Sequence, residues 1–200
     1  IDVNFVNSNG VKNNFKIKKN LHEYQLVGNQ IDGEKIIEKF LKRSNENKIS
    51  NFFDNLNTSI ILSLDRVYLE KDEYLKKFIG EFYIKNNELI SAKADGVLDK
   101  ENKLSYSYRT TTKNEKITNI IIEEPKPFIN NYKFIKGFNE GELKLSSIKI
   151  DDISKSNLKI NNFKVKKVPV LAKILTLASL QGIADLLTGE GIRFNEFEMD

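Results

Sequence analysis

The chain has 200 residues, 40% apolar and 30% charged, a balance that excludes a disordered chain and leaves enough length for a substantial core. Its 32 Lys and Arg against 28 Asp and Glu leave a formal charge of +4, interleaved rather than massed, which argues against nucleic acid as a partner. Cysteine is absent, which removes disulfides, thiol catalysis and thiolate metal sites together.

The first residues, IDVNFVN, already alternate, with no secretory leader pattern ahead of them. Val3 and Phe5, then Phe15 and Ile17, then Tyr24 and Leu26 occupy alternate positions, and Asn9-Gly10 supplies a hairpin turn because both residues tolerate positive φ. This predicts antiparallel strands with one apolar face. The period then changes. Ile36, Ile37, Phe40 and Leu41 fall at helical spacing behind Asp32, an N-cap residue type, so a short helix is expected near 33–43. FFDNL, at 52–56, has room for a helical turn.

Strands resume at 57. In TSIILSLDRVYLE, Ile60, Leu62 and Leu64 share a face, and after Asp65-Arg66 the apolar phase moves to Val67 and Leu69, as a β-bulge would produce. KKFIGEFYIKNN, ELISAKADGVLD, KLSYSYRTTT and ITNIIIEE follow, separated by Asn86-Asn87, Asp99 to Asn102 and Lys113 to Glu115, so consecutive hairpins are expected over 57–168. Pro125 and Pro127 interrupt the ladder, and Pro127 to Lys136 reads as a connection with room for a helical turn. GFNEGELKLSSIKID and SNLKINNFKVKKV are two further strands.

The segment VPVLAKILTLASLQGIADLLTGEGIRF differs from all that precedes it. Pro169 suits the first turn of a helix, Gly182 weakens its middle by about 1 kcal/mol relative to Ala, and Gly189 suits a C-terminal stop. One kinked helix or two short ones are expected near 170–188. The apolar positions run all round the helical wheel, so the segment is core at the end of a sheet or meets acyl chains. Lys173, Gln181 and Asp185 break it too often for a bilayer span, and no run of about 18 unbroken apolar residues occurs elsewhere. IRFNEFEMD opens another strand at 192–200 with no partner evident in sequence, so the chain reads as an excerpt of a longer β protein.

Catalytic patterns are missing. His22 stands alone among polar residues, and no GxSxG, HExxH, P-loop or EF-hand pattern occurs. Gly189-Glu190-Gly191 follows the apolar segment instead of opening a helix, which makes it a capping turn rather than a phosphate loop. Tyr106, Tyr108 and Arg109 have the chemistry of a base-stacking platform, but alternating Tyr is ordinary strand composition, and an exposed-edge strand is the simpler expectation. The chain is read as non-enzymatic, with no cofactor or metal.

One stretch has a family likeness. FKVKKVPVLAKILTLASLQGIADLLTGEGIRFNEFEMD resembles the C-terminal signature of the AsmA-like proteins of Gram-negative envelopes, through Phe163, Val165, Pro169, Leu171, Ala172, Leu175, Ser179, Leu180, Gly182, Leu186, Leu187, Gly189, Gly191, Ile192 and Phe194. Upstream, LVGNQIDGEKIIEKF and LSLDRVYLEKDEYLKKFIGEFYIKNNEL resemble the family more loosely. FIKGFNEGELKLS resembles its short loop before a G-G-x-L strand, except that Glu140 stands where the first glycine of that strand is usual.

The resemblance implies an inner-membrane-anchored, periplasmic protein. It implies an elongated, curved antiparallel sheet forming a groove, a bridge for phospholipid between the membranes, and a role in outer-membrane biogenesis. Phospholipid acyl chains would be the partner, with membrane contact through parts outside this chain and envelope proteins as further partners. The floor expected from the strand pattern is Ile60, Leu62, Leu64, Phe78, Phe82, Ile84, Leu143, Leu145, Leu158 and Ile160, with Leu171, Ile174, Leu175 and Ile183 of the apolar segment closing the groove. Pro169, Gly182, Gly189, Gly191 and Phe194 are the structural positions of the motif. The alternative is an envelope scaffold whose apolar face is filled by its own side chains and carries no lipid.

Overall fold

The computed structural model describes residues 1–34, 57–69, 73–86, 88–98, 101–131, 137–166 and 191–200. Of the helix expected near 33–43 only Gly33 and Glu34 are described, with the Glu34 amide donating to the Asp32 carboxylate at 3.0 Å; the rest of it, the turn expected at 52–56 and the helix expected near 170–188, with Leu171, Ile174, Leu175, Ile183, Pro169, Gly182 and Gly189, lie outside these residues.

The described residues form one open, curved sheet of 11 strands in sequence order. They are β1 (Asp2–Val6), β2 (Lys12–Asn20), β3 (Glu23–Asp32), β4 (Thr58–Tyr68), β5 (Tyr74–Lys85), β6 (Glu88–Val97), β7 (Lys103–Thr110), β8 (Lys116–Glu123), β9 (Phe138–Ile150), β10 (Ile153–Val165) and β11 (Ile192–Met199). A short helix, α1 (Lys126–Asn131), interrupts the succession between β8 and β9, inside the connection the prolines mark.

The sheet is mixed, which corrects the expectation of an antiparallel one. β3 and β4 are parallel, from Glu23 opposite Ser59 to Asp32 opposite Tyr68, and every other neighbouring pair is antiparallel. The reason is the length of the connection. Hairpin strands join through a few residues, whereas residues 33–57 are long enough to return the chain to the end where β3 began.

Two local expectations also change. The phase step in β4 is present, with Leu64 and Val67 both buried, but the register with β5 is unchanged across it: Leu64 faces Phe78 and Arg66 faces Lys76. The shift falls instead between β5 and β6, beside Lys77 at φ 50°. Glu140 and Gly141 lie inside β9, within the strand expected from GFNEGELKLSSIKID, but both take positive φ, 62° and 90°. β11 is not without a partner, since Ile192 to Met199 pairs along β10.

The core sits on one face. Leu64, Val67, Leu69, Leu75, Leu98, Leu104 and Ile122 form one buried cluster, against which Phe128 of α1 packs. Ile129 of α1 joins Phe138, Ile160, Phe163 and Val165 in a second. α1 therefore bridges two clusters, because i and i+1 of one helical turn point toward neighbouring regions of the same face. Phe163 stacks between Phe138 and Phe194, with ring centroids 5.4 and 5.2 Å apart.

Candidate functional site

Residues directly opposite in a ladder project from the same side of the sheet, so the register alone assembles faces. One such row reads Ile17, Leu26, Leu62, Gly80, Ala94, Tyr106, Ile120, Leu145, Leu158 and Met199, crossing from β2 to β11 without a charged side chain. Two residues along the strands toward α1, Leu104, Ile122, Leu143, Ile160 and Phe197 form the next row. On the other side of the first row stand Tyr24, Ile60, Phe82, Ala92 and Tyr108. Such rows are about 7 Å apart, so the apolar belt is broad as well as long.

The opposite surface mixes charged and polar side chains with exposed apolar ones, among them Val27, Ile79, Tyr83, Ile121 and Ile148. Ile79, Asp95, Ser105, Ile121, Lys144, Lys159 and Glu198 make one row there. Its charges are paired or hydrogen bonded: Lys159 lies 2.7 Å from Glu196, which holds its ammonium above the usual lysine range, and Ser105 donates to Asp95 at 2.6 Å. Such exposed pairs contribute little to stability and mainly keep this side wet.

All of the strand residues expected to form the floor fall on the apolar side, in register: Ile60 with Phe82, Leu62 with Gly80, Leu64 with Phe78, Leu143 with Ile160 and Leu145 with Leu158, while Ile84 faces Thr58. They are not equally accessible. Leu64, Ile84 and Ile160 are buried, at 4%, 2% and 3% exposure, and belong to packed core. Ile60, Leu62, Phe78, Phe82, Leu143, Leu145 and Leu158 are half-buried. Sequence reasoning missed Ile17, Leu26, Tyr106, Ile120 and the small residues Gly80 and Ala94. The alternation of Tyr106 with Tyr108 and of Ile120 with Ile122 carried the signal, but Ile121 between them hid it.

Tyr106 and Tyr108 sit on β7, an interior strand paired with both β6 and β8, which corrects the exposed-edge expectation. Burial, helped by the neighbouring Tyr108, pushes the Tyr106 phenol up to about 12. Tyr106 is therefore a neutral member of the apolar belt. Gly80 is covered from above: an added methyl there would meet the Phe82 ring at 2.9 Å, the Phe78 ring at 3.3 Å and Leu62 at 3.4 Å. The two phenylalanines lean over the gap that the missing side chain leaves.

The motif positions within the described residues have structural roles. Gly191 sits at φ 99°, where a Cβ would lie 2.9 Å from both the carbonyl carbon and oxygen of Val165, so only glycine admits β11 to the edge of β10. Phe194 faces Phe163 and ends the aromatic stack. Beside it, Glu140 accepts from Arg193 at 2.7 Å and lies 3.2 Å from Lys164. Partial burial works against that carboxylate, but these two cations prevail and hold it below the ordinary range.

Among the described residues no cluster of three or more His, Cys, Asp or Glu is placed to hold a metal, and no helix is long and apolar enough to cross a membrane. His22 lies in the exposed β2–β3 turn, where its backbone carbonyl accepts from the Ser59 amide and the Thr58 hydroxyl. Compared with protein-family models, curated proteins and solved structures, the chain matches none.

Proposed function

We propose that this chain is a non-enzymatic segment of a lipid-transport groove, in which the apolar face of the sheet guides phospholipid acyl chains between the inner and outer membranes of a cell envelope. The observation that supports it is the uncharged row from Ile17 to Met199, flanked toward α1 by Leu104, Ile122, Leu143, Ile160 and Phe197 and, over β3 to β7, on its other side by Tyr24, Ile60, Phe82, Ala92 and Tyr108. Each methylene kept out of water contributes about 0.8 kcal/mol, so an acyl chain leaves a bilayer readily only onto another continuous apolar surface. A belt that crosses neighbouring strands about 4.8 Å apart offers such a surface in small steps. Transport of this kind needs no catalyst. The likeness of the C-terminal motif to AsmA-like proteins adds the place: the periplasm, with an inner-membrane anchor carried by other parts of the protein.

A scaffold that carries no lipid is the second reading, and the rings of Phe78 and Phe82 over Gly80 favour it, because there the face is filled from within. A phospholipid with a photoreactive acyl chain separates the two. On the groove reading, illumination labels peptides of β4, β8, β9 and β10 at Leu62, Ile120, Leu145 or Leu158. Label confined to the opposite side, or absent after incubation with vesicles, refutes it.

A further inference from the structure

The apolar face changes character along β7 to β10. The belt row that ends at Tyr108 continues on the same side as Thr118, Ser147 and Ser156, and the row after that is Thr110, Lys116, Lys149 and Ser154. Within about 14 Å along the strands the surface therefore passes from aliphatic to hydroxyl to cationic. Lys116 and Lys149 stand directly opposite each other in the β8–β9 ladder, an arrangement that repels. Both are half-buried, and among the described residues neither has a carboxylate in ion-pair range. The neighbouring Glu115 carboxylate is engaged by the Thr111 hydroxyl at 3.2 Å, and Asp151 and Asp152 are exposed to solvent in the β9–β10 turn. The hydroxyls below are arranged in pairs: Ser156 donates to Ser147 at 2.8 Å, which leaves the Ser147 proton for an anion, while Tyr108 lies 3.3 Å from Thr110, whose own proton goes to the Leu89 carbonyl.

We infer that Lys116 and Lys149, backed by the hydroxyls of Thr118, Ser147 and Ser156, bind the phosphate of an anionic amphiphile whose tails lie on the apolar belt beside them. An anion between the two ammonium groups turns their repulsion into attraction, and charge-assisted hydrogen bonds are the stronger class. The substrate is thereby narrowed to lipids with a phosphate and a net negative charge. This inference rests on the groove reading for the tails and adds the headgroup.

The test compares the wild-type chain with Lys116→Gln/Lys149→Gln and with Lys116→Arg/Lys149→Arg, after far-UV circular dichroism shows the same strand content in all three. Each is incubated with vesicles containing phosphatidylglycerol, with vesicles containing diacylglycerol, which has tails and no phosphate, and with inorganic phosphate alone. Bound ligand is counted by native mass spectrometry. Support is a loss of at least about tenfold in phosphatidylglycerol binding for the Gln pair, with the Arg pair retaining it and diacylglycerol binding unchanged. Equal phosphatidylglycerol binding by all three overturns the headgroup site and leaves the groove standing. Binding of inorganic phosphate without either lipid overturns the lipid assignment and the groove together, and so does no binding at all.

Discussion

Replacing Gly141 by alanine tests the packing of β9 against β10 with a magnitude that follows from the geometry. Gly141 has φ 90°, a conformation that disfavours an L residue by about 1–2 kcal/mol. The added methyl would also lie 2.8 Å from Cβ of Phe163 and 2.9 Å from the carbonyl oxygen of Asn161. A backbone oxygen in a ladder cannot step aside, and overpacking of this kind costs about 1–3 kcal/mol. Gly141→Ala should therefore lose about 2–5 kcal/mol, the sum of the two effects. Gly10→Ala is the matched control: its φ is 85°, but nothing lies within 4 Å of the place its methyl would take, so only the backbone part, about 1–2 kcal/mol, applies. Urea unfolding followed by circular dichroism measures both. A loss at Gly141 no larger than that at Gly10 would refute the close approach of β9 to Phe163.

Three further substitutions probe the core, the charges and the floor. Phe163→Ala removes the middle ring of the Phe138–Phe163–Phe194 stack at a site only 4% exposed and should cost about 3–5 kcal/mol in the same unfolding assay; under about 1.5 kcal/mol would mean that the stack is not packed as described. Glu140→Gln should cost about 0.5–1 kcal/mol at pH 7, a small value because the side chain is 39% exposed. Since the folded state holds this carboxyl below its ordinary value of 4.5, its contribution is present above that value and disappears as pH falls through the lower folded one. Wild type and variant should thus converge in acid, and a gap that widens there contradicts the Arg193 and Lys164 pairing. Leu62→Asp places a charge in the middle of the apolar row and should abolish crosslinking to a photoreactive phospholipid while strand content persists; undiminished crosslinking removes Leu62 from the floor.

Strands were legible in the sequence because each carries its own alternation. Phe78, Phe82 and Ile84 mark one side of β5, and Leu143 and Leu145 mark one side of β9, without reference to any partner. What alternation does not carry is which strand lies next to which. The parallel pairing of β3 with β4 is a non-local property that no residue within either strand announces. The opposition of Lys116 to Lys149 appears only once the register is known. Positive φ at Glu140, Lys77 and Asn162 was equally hidden, because glutamate, lysine and asparagine in a strand pattern announce no irregularity and the surrounding ladder imposes it. The side of the sheet was legible for every floor residue that lies on a strand. Accessibility was not, since the burial of Leu64 and Ile160 depends on clusters to which α1 contributes.

The claim on which the rest depends is that the apolar belt accommodates lipid tails rather than only its own side chains. Native mass spectrometry of the purified protein, after equilibration with phospholipid vesicles and removal of the vesicles, addresses it directly. Folded protein carrying phospholipid, with the adduct lost in Leu62→Asp, is the outcome expected. Folded protein that emerges free of lipid under the same conditions contradicts the claim and leaves the sheet a scaffold.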